Sequence, residues 1–358
     1  MKKNTRFAFN AYLQQLARLN GVAVEELSSK FTVEPSVQQT LEDQIQQSAA
    51  FLTLINVTPV TEQSGQLLGL GVGSTIAGTT DTTAKEREPV DPTLMVDVEY
   101  KCEQTNFDTV LTYAKLDLWA KFQDFQVRIR NAIVKRQALD RIMIGFNGVK
   151  RAKTSNRSEN PLLQDVNKGW LQKIREDAPD HVMGSTTTGS ETTPGSETTP
   201  GAVKVGKGGE YANLDAVVMD AVNELIDVVY QDDDDLVVIC GRELLSDKYF
   251  PLVNKEQENS EKLAAEMIIS QKRMGGLQAV RAPFFPPNAL LITRLDNLSI
   301  YWQEDTRRRS VIDNPKRDRI ENFESVNEAY VVEDYRCAAL VENIQIGDFS
   351  AAAAEAGA

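Results

Sequence analysis

The sequence holds one histidine, His181, and three cysteines, Cys102, Cys240 and Cys337, which are far apart and form no CxxC pair. A Ser-His-Asp triad or a multi-histidine metal centre is hard to build around a single imidazole. The thiol spacing fits reduced, packed residues of a cytosolic product and excludes a dense disulfide framework. Positive charge is also scarce: 39 Lys and Arg stand against 52 Asp and Glu, for a net charge of -13. That balance argues against a protein that binds nucleic acid over its whole surface, although a local basic patch can survive inside it. Long apolar runs are missing. The stretch from Ala49 to Ile55, with Thr53 inside it, falls far short of the roughly 20 residues needed to span a bilayer. Met1-Lys2-Lys3-Asn4-Thr5-Arg6 is basic, but no apolar h-region follows, so neither export nor membrane insertion is expected.

What remains is ordinary globular material: 358 residues, 41% apolar and 25% charged, enough for two or three subdomains and a substantial core. Phe9, Tyr12, Leu13, Leu16 and Leu19 recur at helical spacing, and Asn20-Gly21 supplies a stop. Val24 to Ser29 predicts a short second helix. The segment up to Phe31 carries five Lys/Arg and two Glu, so it is basic within an acidic chain. From about Ser36 a further helix is expected, with Val37, Leu41, Ile45, Ala49 and Leu52 on one face. Leu68, Leu70 and Val72 then alternate with Gly69, Gly71 and Gly73, a period of two with one bare face. Residues 57–107 therefore read as a two-stranded arm with a polar tip at Thr79 to Asp91. An isolated hairpin is marginal, so the arm is expected to lie on another surface. The strongest helical pattern runs from Asp117 to Phe146, with Leu118, Phe122, Phe125, Ile129, Ile133 and Ile142 on its buried side. At 1.5 Å per residue that helix is a rod of about 45 Å.

Residues 184–201 are low complexity, with Gly189-Ser190-Glu191-Thr192-Thr193-Pro194 repeated as Gly195 to Pro200, and read as a solvated loop. Beyond them an α/β section is expected: a helix marked by Leu214, Val217, Val218, Ala221 and Leu225, and a buried strand from Leu236 to Cys240. A helix follows from Asn259 or Ser260 to Lys272-Arg273, and then strands near 278–282, 289–294 and 298–303. Gly201-Ala202-Val203-Lys204-Val205-Gly206-Lys207 matches seven positions of a phosphate-binding P-loop. Gly208 stands where the magnesium-ligating Ser or Thr belongs, so a plain loop is the better reading. Asp232 to Asp235 lack the alternating ligands and distal Glu of a calcium loop and read as a solvated turn. Charge segregation says more. Lys121 to Arg157 contain ten Lys/Arg and two Asp, whereas Glu210 to Asp235 contain nine acids and no base. Either the basic face is simply solvated or it meets phosphates or acidic neighbours.

Several blocks resemble a known family. They are Thr5-Arg6-Phe7, Phe9-Asn10-Ala11-Tyr12-Leu13, Lys30-Phe31-Thr32-Val33-Glu34-Pro35-Ser36 and Leu116-Asp117-Leu118-Trp119-Ala120. Further along come Gln123-Asp124-Phe125-Gln126, Gly145-Phe146-Asn147-Gly148-Val149-Lys150-Arg151-Ala152, Lys248-Tyr249-Phe250-Pro251 and Val253-Asn254-Lys255-Glu256-Gln257. In this order they are similar to the major capsid proteins of peduovirus-type (P2-like) tailed bacteriophages over nearly the whole length; the repeat tract at 184–201 departs from the pattern.

The resemblance implies an α+β, HK97-type capsid fold. Its parts would be a scaffold-like segment at 1–31, an N-arm at 32–56 and an extended E-loop hairpin at 57–107. A peripheral domain at 108–210 would hold the spine helix, 117–146, and the flexible loop 184–201. An axial α/β domain at 211–305, a return to the peripheral domain at 306–347 and a flexible tail at 348–358 complete the chain. It further implies pentamers and hexamers of an icosahedral procapsid, assembled in the host cytoplasm and ending as the virion capsid around double-stranded DNA. A scaffolding protein that is also the maturation protease would cut near Phe31-Thr32, and a portal protein would occupy one vertex. No catalytic residue, cofactor, metal or membrane partner is expected. Arg128, Arg130, Lys135, Arg136 and Arg141 are the candidates to face DNA or an acidic neighbour. The alternative from another class is an intracellular nucleotide-binding enzyme using residues 201–208.

Overall fold

The structure, a computed structural model, describes residues 1–72, 77–89, 93–119, 125–184, 201–253 and 272–350. The first third contains α1 (Lys3–Asn20), β1 (Phe31–Thr32), α2 (Pro35–Ser48), β2 (Asn56–Val60), β3 (Ser64–Val72), β4 (Thr93–Lys101), β5 (Glu103–Asn106), β6 (Thr109–Thr112) and α3 (Tyr113–Trp119). The middle contains α4 (Phe125–Asn147), α5 (Trp170–Asp177), β7 (Val182–Met183), β8 (Val203–Val205), α6 (Leu214–Leu225), α7 (Val228–Gln231), β9 (Leu236–Cys240) and α8 (Arg242–Val253). The last third is strand-rich: β10 (Arg273–Met274), β11 (Leu277–Arg281), β12 (Leu290–Arg294), β13 (Leu298–Gln303), β14 (Arg308–Asn314), β15 (Arg319–Val332), β16 (Ala338–Val341) and β17 (Ile344–Ile346).

Two sheets organise these elements. In the first, β1, β14, β15, β13 and β2 lie side by side, and β5 and β6 pair with the other edge of β15 along its length. β15 is 14 residues long and is the backbone of that sheet. The second has the order β10-β11-β9-β12-β16-β7. Its strands β9, β12 and β16 are buried on both faces, which explains their unbroken apolar sequences. Val237, Ile239, Leu291 and Leu340 point into a core shared with α2, α4, α5 and the first sheet. Leu236, Val238, Cys240, Ile292 and Ala339 point the other way, against α6. Trp170 lies at the centre of the shared core; a Cβ on Gly145 would come within 2.2 Å of its ring, so only glycine allows α4 to approach α5 there.

Expected elements reappear with instructive differences. Helix α1 ends at Gly21, whose φ of 64° closes the helix with an N–H bond to the Ala17 carbonyl. The spine pattern from Asp117 is seen as α3 and α4, with residues 120–124 outside the described residues. Leu118, expected on the buried side, is exposed, because α3 turns a different face to the body than α4 does. The arm is narrower than 57–107: β2 runs parallel to β13 and β5 pairs with β15, so only β3 and β4 leave the sheet. Within it Gly69 and Gly71 face Val96 and Leu94 in antiparallel register. β13 falls within the expected axial section, 211–305, yet it pairs with β15 in the first sheet; a short 3-10 turn, Leu295–Asn297, carries the chain across. Asn297 pins that crossing by donating to the Asp334 carbonyl at 2.8 Å and accepting from the Asp334 N–H at 2.7 Å. β16 falls within the expected returning segment, 306–347, yet it sits in the second sheet beside β12, where its apolar side chains are buried on both faces. The repeat units, the helix expected from Asn259 and the end of the tail lie outside the described residues.

Candidate assembly surfaces and the buried charge cluster

Helix α4 separates the basic residues into two kinds. Arg128, Arg130, Lys135 and Arg136 are exposed, and Arg136 pairs with Asp140 one turn on at 2.5 Å. Arg141 does not belong with them. It is fully buried, so the expectation that it faces DNA or a neighbour is corrected. Its position is dictated by helical period: Val134, Ala138, Arg141 and Gly145 fall at i, i+4, i+7 and i+11, the stripe that α4 turns to the core. The same spacing places Gln38, Glu42, Ile45 and Ala49 on the buried stripe of α2.

These two stripes meet through charge. Arg141 donates from Nη1 to Glu42 Oε2 at 2.6 Å, and from Nε and Nη2 to Glu328 Oε1 at 2.9 and 2.6 Å. Arg307, from the loop before β14, bonds the other oxygen of Glu42 and also Glu324 of β15. All five side chains are at most 3% exposed. The cluster ties α2, α4 and β15 at one point. Its two arginines face three glutamates, and the carboxyls respond differently. Burial pushes both upward, but at Glu42 the adjacent Arg141 and Arg307 outweigh it and hold the group below the usual carboxylate range. At Glu328 burial prevails over Arg141 and the group stays above that range. Glu328 Oε2 has no partner among the described residues. Nearby, the buried Thr105 hydroxyl and Gln137 amide line a cavity of about 590 Å³ between α4, β5 and residues 151–166, polar and roomy enough to hold ordered water.

The base of the arm is anchored by aromatic contact. Tyr100 packs edge-on against Tyr301 at 5.2 Å, beside Cys102, Ala329 and Val331, and a Cβ on Gly65 would press on the Tyr100 ring. At the chain's other candidate site, Phe31 and Thr32 pair with Arg309 and Arg308 as the edge strand of the first sheet.

The features that imitate catalytic motifs are structural. Residues 203–205 form β8, parallel to β17, and Gly206 and Gly208 turn the chain at φ 129° and 75°. The next helix starts only at Leu214, so no helix N-terminus faces the loop, and the exposed Lys207 approaches Asp348 at 3.9 Å. The geometry of a P-loop is missing. Asp233 accepts from the Asp235 N–H and pairs with Arg294, as a solvated turn does. Burial pushes the thiols up, Cys102 to about 12 and Cys240 and Cys337 to about 11, so they stay protonated and inert. Among the described residues no group of three or more His, Cys, Asp or Glu is placed to hold a metal ion. None of the described helices is long and apolar enough to cross a membrane.

Two main sheets with a separate two-stranded arm fit a building block. The sequence profile described as "Phage major capsid protein, P2 family" matches residues 8–344. The chain belongs to that family. It is 58% identical to the capsid proteins of Escherichia phage P2 over 362 residues, with all of both chains covered. It is 40% identical to the major capsid protein of Serratia phage KSP20, covering 96% of this chain and 97% of that one. Among solved structures, a chain of the satellite phage P4 procapsid including size determination (Sid) protein matches with a TM-score of 0.78 at 56% identity, over 98% of this chain and 100% of that one. This P2-family chain is therefore a structural subunit of a virion shell with the HK97-type capsid fold, and not an enzyme. Sequence reasoning missed Glu42, Arg307, Glu324 and Glu328. For Glu42 and Arg141 the signal was present, as charges in register with apolar stripes; for the other three nothing local distinguishes them.

Proposed function

We propose that the chain assembles into the pentamers and hexamers of an icosahedral procapsid, which encloses double-stranded DNA and matures by cleavage near Phe31-Thr32. The likeness to a procapsid chain over 98% of the sequence carries this reading. The partners are other copies of the chain, a scaffolding protein that doubles as protease, a portal protein at one vertex and the packaged DNA. Residues 32–56 act as the N-arm, β3 and β4 as the E-loop, and α3 with α4 as the spine. A chain that offers different surfaces to its neighbours makes heterologous contacts, which close into rings and shells. The exposed Arg128, Arg130, Lys135 and Arg136 face the DNA or an acidic neighbour. Negative-stain images of the chain expressed with its scaffold should show shells or capsomer rings, and discrete soluble particles would overturn the assembly reading. The intact mass of the major protein of filled virions tests processing: loss of about thirty residues is expected, and a protein retaining Phe7 through Tyr12 would refute it.

A further inference from the structure

Residues 1–31 are not loosely appended. Phe9, Leu16, Ala17 and Leu27 are buried in one cluster with Leu116, Ile129, Val311 and Ile320, which come from α3, α4 and the β14–β15 hairpin. Most of the apolar stripe of α1 is thus buried within the chain, and Leu19 at its end stays exposed. Polar contacts surround the cluster. Arg6 pairs with Asp313 at 2.6 Å, and the Lys2 N–H bonds Asp117 at 2.8 Å. The half-buried Arg309 donates to the Tyr12 hydroxyl at 2.8 Å. The junction is held on both sides. Phe31 and Thr32 pair with β14, the Val33 N–H bonds the Arg307 carbonyl at 2.9 Å, and Asn20 Oδ1 accepts from the Glu34 N–H at 3.2 Å. Arg307 also belongs to the buried charge cluster, so the strand carrying the junction is tied to the residue that joins Glu42 and Glu324.

We infer that residues 1–31 act as a cover in cis: they keep the Phe31–Thr32 bond in the sheet, and the bond becomes cleavable only when α1 and β1 lift off β14 together. A protease binds substrate as an extended segment with its backbone free, so a paired strand is cut through its opened state, at a rate that follows the opening equilibrium. Hydrolysis adds the hydroxyl of water to the Phe31 carbonyl carbon and leaves a proton on the Thr32 nitrogen. Once the segment leaves, Leu116, Ile129, Val311 and Ile320 are uncovered and Arg309 loses Tyr12. The inference rests on processing at this bond, but its test does not need the phage protease.

Trypsin supplies an internal comparison in the full-length, unassembled subunit. It can cut after Lys30, one residue before the junction, and after Lys85 and Arg87 in the exposed stretch 77–89. Fragment masses should show cutting at Lys30 slower than at Lys85 by at least about tenfold, since opening must come first. Phe9→Ala, which removes a buried ring from the cover, should speed the Lys30 cut at least about tenfold while leaving the Lys85 cut unchanged. Arg6→Glu should speed it about threefold, as befits a half-exposed ion pair. Combining Arg6→Glu with Asp313→Arg should restore the slow rate, which a general loss of folding would not do. Equal cutting at Lys30 and Lys85 in the unmodified chain, or no response to either single variant, would overturn the cover. If virions retain residues 1–31 while the protection ratio holds, the processing reading fails and the cover stands.

Discussion

The two halves of α4 carry the same kind of charge to opposite ends. In the first half only Ile129 and Val134 are fully buried among the described side chains, and Arg128, Arg130, Lys135 and Arg136 stand in solvent. In the second half Gln137, Ala138 and all residues from Arg141 to Phe146 are buried. The first-half side chains reach solvent, and Arg136 pairs there with Asp140 of its own helix. Arg141, in the second, is consumed by Glu42 and Glu328 and serves to hold α2 and β15 against the helix. Basicity read along a sequence therefore measures nothing about outward charge until burial is known. A buried cation needs its partners, and a solvated one adds little to stability.

The sharpest way to break the contrast is to remove one partner from the buried cluster. Arg141→Met should destabilise the subunit by about 3–5 kcal/mol, because Glu42 and Glu328 are left buried beside a side chain that cannot bond them. Urea unfolding of unassembled subunits measures this. A change below about 1 kcal/mol would mean that water reaches the cluster.

The next effect is smaller and depends on pH. Glu42 is depressed in the fold, so its stabilisation is complete above its unfolded value of about 4.3 and is lost as pH falls through the depressed value. Glu328 is raised, so its contribution has the opposite sign: it is complete below about 4.3 and is lost as pH rises through the raised value. Unfolding measured from pH 4 to pH 7 should show Glu328→Gln gaining on the unmodified chain as pH rises, on the order of 1–3 kcal/mol. Glu42→Gln should lose ground as pH rises from about 2 to about 5 and run parallel to the unmodified chain above that. A Glu328→Gln curve parallel to the unmodified chain from about pH 4 to 7, or a Glu42→Gln curve parallel to it from about pH 2 to 5, would contradict the assigned directions.

The smallest effect on stability belongs to the exposed half. Arg130→Gln with Lys135→Gln should change unfolding by no more than about 0.5 kcal/mol each. If those side chains meet phosphates, the same double variant should lower the slope of log affinity for duplex DNA against log salt by about 2. An unchanged slope would leave the stripe as a solvated helix face.

Much of this architecture can be read from local pattern. The period of α1 and its stop at Gly21, the start of α2 near Pro35, the alternation in the arm and the apolar β9, β12 and β13 are all short-range signals, and each element lies where its residues suggest. The order of the strands within a sheet is not such a signal. β13 and β12 are neighbours in sequence with similar composition, yet they enter different sheets. Nothing in Glu324 or Glu328 marks them as buried, since in a strand paired on both edges the burial of a polar residue depends on what lies across it.

By itself the sequence determined the helical and extended periods, the scarcity of histidine and cysteine and, through long shared blocks, the resemblance to a capsid family. The periods rest on residue type and on spacing within one element, and the resemblance on whole blocks of sequence. Only the tertiary structure decided that Arg141 is internal, that the arm begins at β3 and that residues 1–31 lie over their own subunit. Each of these joins residues more than eighty positions apart, such as Arg141 with Glu42 and Arg6 with Asp313. Which distant charge meets which is set by how α2, α4 and the sheets pack, because a buried ion must find its partner wherever the fold brings one.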